Sequence, residues 1–157
     1  MRVGFGYDVH PLVPDRPLVL GGITVPYSAG LLGHSDADVL LHAICDALLG
    51  AMAERDIGVH FPDTDPQYKG IRSTILLKKV AARMRDKGYH LLNLDTTVVA
   101  QKPKLSGFIP EMIKAIAEAL EVDAGRVNVK ATTSEGLGFA GRAEGIIAYA
   151  IALLGED

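Results

Sequence analysis

Asp8 and His10, in the segment Gly-Tyr-Asp-Val-His at 6–10, stand two residues apart, and in an extended strand side chains two apart project to the same side. They make half of a metal site. The other half is expected from His42, in Gly-His-Ser-Asp-Ala-Asp-Val-Leu-Leu-His at 33–42, on a segment whose apolar residues recur at helical spacing. Two imidazoles and a carboxylate, with a fourth position left for water or substrate, are the ligands of a catalytic zinc ion; a structural zinc site is closed by four protein ligands, usually including cysteines. This chain has a single cysteine, Cys45. On its apolar helical segment Cys45 reads as a small buried hydrophobe and not as a nucleophile, and His60 and His90 read as surface residues.

Other polar residues gather between the expected elements, where binding chemistry is usually carried. His34 and Ser35 precede the helical segment, whose first amides and partial positive charge suit a phosphate; Ser35 also fits a plain N-cap. The stretch Asp56-Ile-Gly-Val-His-Phe-Pro-Asp-Thr-Asp offers three carboxylates and a glycine, either to grip a polyol or simply as a solvated loop. Downstream, Gln101-Lys-Pro-Lys-Leu and the run from Lys130 to Arg142 each leave a strand. Amides, threonine hydroxyls and nearby cations are the groups that cradle a diphosphate, and Glu135 can share a hard magnesium ion with its oxygens. Glycine-rich turns after strands also occur as ordinary connections.

The elements that must position these groups follow from periodicity. Arg2 to Tyr7 reads as a strand, and Leu18-Val-Leu and Ile23-Thr-Val flank Gly21-Gly22 as a hairpin. From Ser35 to about Met52, Leu40, Ile44, Ala47, Leu48 and Ala51 make a helical stripe, with Ser35 as N-cap and Asp38 as the capping-box acid. Asp56 to Gly70 reads as a loop, Ile71 to Lys87 as a helix ended by Gly88, and Leu91 to Gln101 as a strand. A third helix runs from Pro110 to about Leu120, Arg126 to Thr132 alternates as a strand, and Gly145 to Leu154 is assigned to a strand although its periodicity is ambiguous. The expected architecture is one α+β (α/β) domain over 1–157: a mixed β-sheet covered by helices on one face, plus a small β-hairpin.

A chain of 157 residues fits one domain with a sizeable core. Its net charge of −3 comes from 16 basic and 19 acidic residues spread along the chain; no basic stripe awaits a nucleic acid. The longest apolar run, Gly145 to Leu154, is about half of what spans a bilayer. A lone cysteine and an opening that lacks the pattern of a secretory signal point to the cytoplasm.

Taken in order, the motifs at 6–10, 33–42, 56–65, 101–104 (Gln-Lys-Pro-Lys) and 130–139 (Lys-Ala-Thr-Thr-Ser-Glu-Gly-Leu-Gly-Phe) closely resemble those of the 2-C-methyl-D-erythritol 2,4-cyclodiphosphate synthase family, almost end to end. The resemblance implies conversion of 4-diphosphocytidyl-2-C-methyl-D-erythritol 2-phosphate to the cyclic diphosphate with release of CMP, in the non-mevalonate route to isoprenoids. It implies a homotrimer with sites between subunits, one Zn2+ per subunit on Asp8, His10 and His42, and Mg2+ or Mn2+ at the substrate diphosphate with help from Glu135. His34 and Ser35 would hold phosphate. Asp56, Gly58, Phe61, Pro62, Asp63, Thr64 and Asp65 would take the methylerythritol part. Ala100, Lys104, Leu105 and Ser106, with Ala131, Thr132 and Thr133 of the neighbouring subunit's loops, would take the cytidine diphosphate. His34 and Thr133 match positions of transition-state stabilisation; Phe139 and Arg142 match the lining of a central cavity able to hold an isoprenoid diphosphate. One departure is Gly70-Ile-Arg-Ser where Gly-Ala-Asp-Ser is frequent, which puts Arg72 in place of an acid.

This chemistry needs no protein nucleophile, since the attacking group is the substrate's own 2-phosphate, largely ionised near neutral pH. A zinc phosphohydrolase using the same ligands is the nearest alternative, separated by its linear product; a non-catalytic sensor of nucleotide or isoprenoid diphosphate requires dispensable metal ligands.

Overall fold

The computed structural model describes residues 1–156. In chain order the elements are β1 (Arg2–Pro14), β2 (Leu18–Leu20), β3 (Ile23–Val25), β4 (Ala29–Leu31), α1 (Val39–Ala51), α2 (Ile57–His60), α3 (Ser73–Asp86), β5 (Tyr89–Val99), α4 (Ile109–Leu120), β6 (Val127–Thr132), α5 (Gly138–Gly141) and β7 (Gly145–Glu156). Five strands form one sheet in the order β4-β1-β7-β5-β6, while β2 and β3 make a separate hairpin. Only β5 and β6 run parallel; the other neighbours are antiparallel. The expected mixed sheet is present, with helices on one face.

Small residues let α1 lie directly on β1. An ideal Cβ on Gly4 would come 1.9 Å from the Ala47 carbonyl oxygen, and one on Gly6 the same 1.9 Å from that of Ala43, so any larger residue would push the helix off the strand. On β7, Ala148, Ala150 and Ala152 are buried on the same side. Further out, α3 contacts α1, and α4 contacts α3 and β6. The opposite face is apolar and open: Val3, Phe5, Tyr7, Tyr149 and Ile151 are exposed there, Phe5 by 61%. Tyr149 meets Phe5 and Tyr7 with ring centroids 6.2 and 5.4 Å away. This explains why β7 lacks a strand-like alternation in sequence: both of its faces are apolar.

Several boundaries differ from the sequence reading. β1 continues past Tyr7 to Pro14, paired with β7 and then β4, and the three-residue β4 is additional. The 56–70 segment is not a plain loop, because Asp56 caps α2 and Asp65 caps a 3-10 turn at Pro66–Tyr68. Ser35 is not the cap of α1. The helix starts at Val39 with Asp38 as N-cap, a buried carboxylate that also accepts from the amides of Gly21 and Gly22 at 2.9 and 2.7 Å. Asp38 thus ties the hairpin to the helix, which a local capping pattern does not foresee.

Candidate active site

Along β1 the residues facing α1 are Gly4, Gly6, Asp8 and His10. The two glycines lie beneath the helix body; Asp8 and His10 emerge beside its first turns, next to His42. The ligand atoms of these three side chains lie within 4.8 Å of one another. Asp8 Oδ2 is 2.9 Å from His10 Nε2 and 3.1 Å from His42 Nδ1, and the two ring nitrogens are 3.2 Å apart. Donors about 2.0–2.1 Å from a tetrahedral ion sit roughly 3.3 Å from one another, so this triangle fits a zinc-sized cation with little adjustment.

The outer nitrogens are also engaged. His10 Nδ1 donates to the Leu32 carbonyl at 2.9 Å, leaving Nε2 to face the triangle, as in metal-ligating histidines. His42 Nε2 lies 2.9 Å from Ser73 Oγ and 3.1 Å from Ser35 Oγ. Burial pushes the Asp8 carboxyl up, but hydrogen bonds and charge from His10 and His42 outweigh it and hold it at about 2. Burial disfavours the charged His10 ring, yet the bond and charge of Asp8 raise it above its ordinary value. The triad is therefore electrostatically poised for a cation, whether proton or metal.

A cavity of about 360 Å³ opens over the triad, lined among others by His34, Ser35, Gly58, Phe61 and Asp63. His34 is held by the Asp65 carbonyl, 3.1 Å from its Nε2. Asp56 accepts from the Val59 amide at 3.1 Å and lies outside the cavity lining, and the carboxylate of Asp65 accepts from Gln67. Pro62, Thr64 and Asp65 complete the rim of the loop without lining the cavity. At the start of α1, Asp38 accepts from the Leu41 amide, and the side chains of Ser35 and His34 line the cavity beside it.

A second, larger cavity of about 730 Å³ lies where the parallel strands β5 and β6 end, lined by Ala100 to Ser106, including Lys104 and Leu105, and by Ala131, Thr132 and Thr133. The Ala100 amide donates to the Thr132 carbonyl at 2.9 Å, and the Gly136 amide donates to Gln101 Oε1 at 3.2 Å; these bonds hold the two loops together. Burial of Ala100 and Leu105 sets the floor. Glu135 is exposed with a φ of 56° and lies apart from the triad, so within one chain it joins no cluster of metal-binding groups among the described residues. Phe139 and Arg142 lie outside both cavities, Arg142 paired to Glu144 at 3.0 Å.

His34 and Thr133, predicted to act together, thus fall in different cavities of the same chain. β1 and β6 are separated by β7 and β5, about 14 Å at ordinary strand spacing. Sequence reasoning missed Tyr27 and Ile109 in the larger cavity, Tyr68 in the smaller, and Ser73 as a partner of His42. None carries a local signal, because each reaches its place through distant chain segments.

The chain belongs to the YgbB family, whose model matches residues 1–155. It is 64% identical to a 2-C-methyl-D-erythritol 2,4-cyclodiphosphate synthase of Geotalea daltonii over 98% of this chain and 90% of that protein. Among solved structures it superposes on the bifunctional IspDF of Campylobacter jejuni with a TM-score of 0.96 and 44% identity, covering 99% of this chain and 42% of that longer one. It also superposes on the CDP complex of Plasmodium falciparum IspF with a TM-score of 0.88 and 34% identity, over 99% and 96% of the two chains. No described helix is long and apolar enough to cross a membrane.

Proposed function

We propose that the two cavities hold the two ends of one substrate, and that residues 1–157 act as one synthase domain. The reaction is conversion of 4-diphosphocytidyl-2-C-methyl-D-erythritol 2-phosphate to 2-C-methyl-D-erythritol 2,4-cyclodiphosphate with release of CMP, catalysed by a metal-dependent lyase. The observation that carries it is the Asp8, His10 and His42 triangle beneath a cavity lined by His34 and Ser35. The CDP bound to the Plasmodium relative supports a cytidine nucleotide as the ligand of the larger cavity.

An oxygen of the 2-phosphate attacks the β-phosphorus, the bond from that phosphorus to the bridging oxygen breaks, and CMP leaves with the electron pair. When bound, Zn2+ at the triad and Mg2+ or Mn2+ at the diphosphate supply charge neutralisation and orientation. Ser35 and His34 hold phosphate; Gly58, Phe61 and Asp63 enclose the methylerythritol part. Thr132 and Thr133 hydroxyls, Lys104 and the loop amides hold the diphosphate, with Glu135 serving the second metal. In-line attack requires these groups around one substrate.

Their separation within one chain supports a homotrimer with sites shared between subunits. The open apolar face of β1 and β7, with Phe5, Tyr7, Tyr149 and Ile151 exposed, is a surface that association would cover. Phe139 and Arg142, exposed just before β7, offer a ring and a guanidinium for an isoprenoid diphosphate at the trimer axis. The unpaired, buried Cys45 is in keeping with a cytoplasmic enzyme.

Phosphorus NMR of the reaction with the diphosphocytidyl substrate tests the reading. The cyclic diphosphate and CMP are expected in equal amounts; a linear phosphate product in their place would favour a hydrolase.

A further inference from the structure

We propose that Asp36 and Ser73 form a hydrogen-bond relay that fixes the His42 proton on Nε2, keeps Nδ1 as a metal-ligating lone pair, and turns the Ser35 hydroxyl proton into the cavity. The inference rests on the metal-site reading above.

Asp36 stands two residues before the cap of α1, and Ser73 opens α3. Ser73 is fully buried. Its amide donates to Asp36 Oδ2 at 3.0 Å and its hydroxyl to Asp36 Oδ1 at 2.5 Å. Backbone bonds hold the two segments together: the Asp36 amide donates to the Ile71 carbonyl at 3.0 Å, and the Gly70 amide to the His34 carbonyl at 2.8 Å. Asp36 therefore caps α3 from across the chain, and Arg72, which makes no side-chain cap bond, is free to depart from an acid.

The direction of each bond follows from donor counting. A carboxylate here only accepts, so the single hydroxyl proton of Ser73 is committed to Asp36. What Ser73 Oγ shows to His42, at 2.9 Å, is a lone pair. When an ion takes the place of the Nδ1 proton that Asp8 Oδ2, 3.1 Å away, otherwise accepts, His42 Nε2 must carry the one proton of the ring, and a neutral imidazole with one N–H has its lone pair on the other nitrogen. That nitrogen, Nδ1, is the one facing Asp8 and His10. Ser35 Oγ accepts from the Ala37 amide at 3.1 Å; with Nε2 protonated it finds no acceptor on His42, 3.1 Å away. Its own proton is left for an anion in the cavity that it lines. Asp36 and Ser73 touch neither metal nor substrate and are positioning residues.

Two measurements decide it. Zinc affinity, read by competition with a chromogenic chelator, should fall about 10–100-fold in Ser73→Ala, the range for removal of an outer partner of a metal-bound histidine. Asp36→Ala should also weaken binding, but lose at least half of its effect when Ser73 is already alanine, because the relay runs through that hydroxyl. Affinity unchanged in Ser73→Ala, or effects that simply multiply in the double variant, overturns the relay. The second measurement needs no variant: imidazole nitrogen spectra of the zinc-loaded wild-type protein should show His42 bound through Nδ1 with its proton on Nε2, and ligation through Nε2 overturns the proposal. A wild-type protein that bound no zinc would instead refute the metal-site reading.

Discussion

The two cavities hold their residues by opposite means. Around the triad, side chains from β1, α1 and α3 are locked by one another, and no buried side-chain polar atom among the described residues lacks a hydrogen-bond partner. At the larger cavity, the loops after β5 and β6 present exposed threonine hydroxyls and backbone edges on a buried apolar floor. The first is a complete ligand set inside one chain; the second is a surface that a ligand and a neighbouring subunit can finish. The difference teaches that substitutions in the two places should fail differently, one by losing a metal and the other by losing grip on substrate.

The largest expected effect is that of His42→Ala. Zinc measured by elemental analysis should drop from about one per chain to near zero, since two remaining protein ligands do not retain the ion, and cyclisation should cease. Thr133→Ala should keep its zinc and lose about tenfold in kcat/KM, the usual worth of one hydrogen bond. Stoichiometric zinc with full activity in His42→Ala would break the comparison at its root.

A mixing experiment sharpens it. If a working site combines the triad of one subunit with Thr133 of another, inactive His42→Ala and weakened Thr133→Ala proteins, unfolded and reassembled together, should form some sites carrying both wild-type halves. Activity should rise above the sum of the two proteins measured alone. Hybrid trimers verified by mass that gain nothing would leave each site within its own chain.

The comparison also explains what could be read from the sequence. Asp8 and His10 are legible because a strand repeats every two residues, and His42 because α1 carries a regular apolar stripe; their convergence then needs only Gly4 and Gly6 to admit the helix. Local pattern puts the cap of α1 at Ser35 because Ser35 and Asp38 satisfy a capping box, whereas Asp38 is itself the cap and answers to the hairpin amides of Gly21 and Gly22. Asp36 and Ser73 are 37 residues apart, a pairing that no window of periodicity contains. β1 runs on past Tyr7 although Pro11 and Pro14 are poor residues for a strand interior; both are accommodated where pairing passes from β7 to β4. Local rules thus found the ligands and missed the long-range bonds that hold them.

The smallest effect concerns how the rim of the metal cavity is braced from outside. Glu54 follows α1 and pairs with Arg83 at 2.6 Å and with Lys87, while its carbonyl accepts from His60 Nε2 of α2 at 2.8 Å. The bonds from Lys87 and then Arg83 hold the Glu54 carboxyl at about 2, well below its ordinary 4.5. A depressed acid stabilises the fold above its unfolded value and loses that contribution as pH falls toward its folded one. Glu54→Gln should therefore melt about 1–3 °C below wild type at pH 7, the small shift proper to a solvent-screened pair. The gap should close as pH falls from 4.5 toward 2. Zinc content should stay at the wild-type level throughout the neutral range, because the triad keeps its own partners. A gap that persisted at the acid end would assign the effect to packing of the Glu54 side chain and not to its charge, and zinc lost from Glu54→Gln at pH 7 would mean that the metal cavity depends on its outer brace.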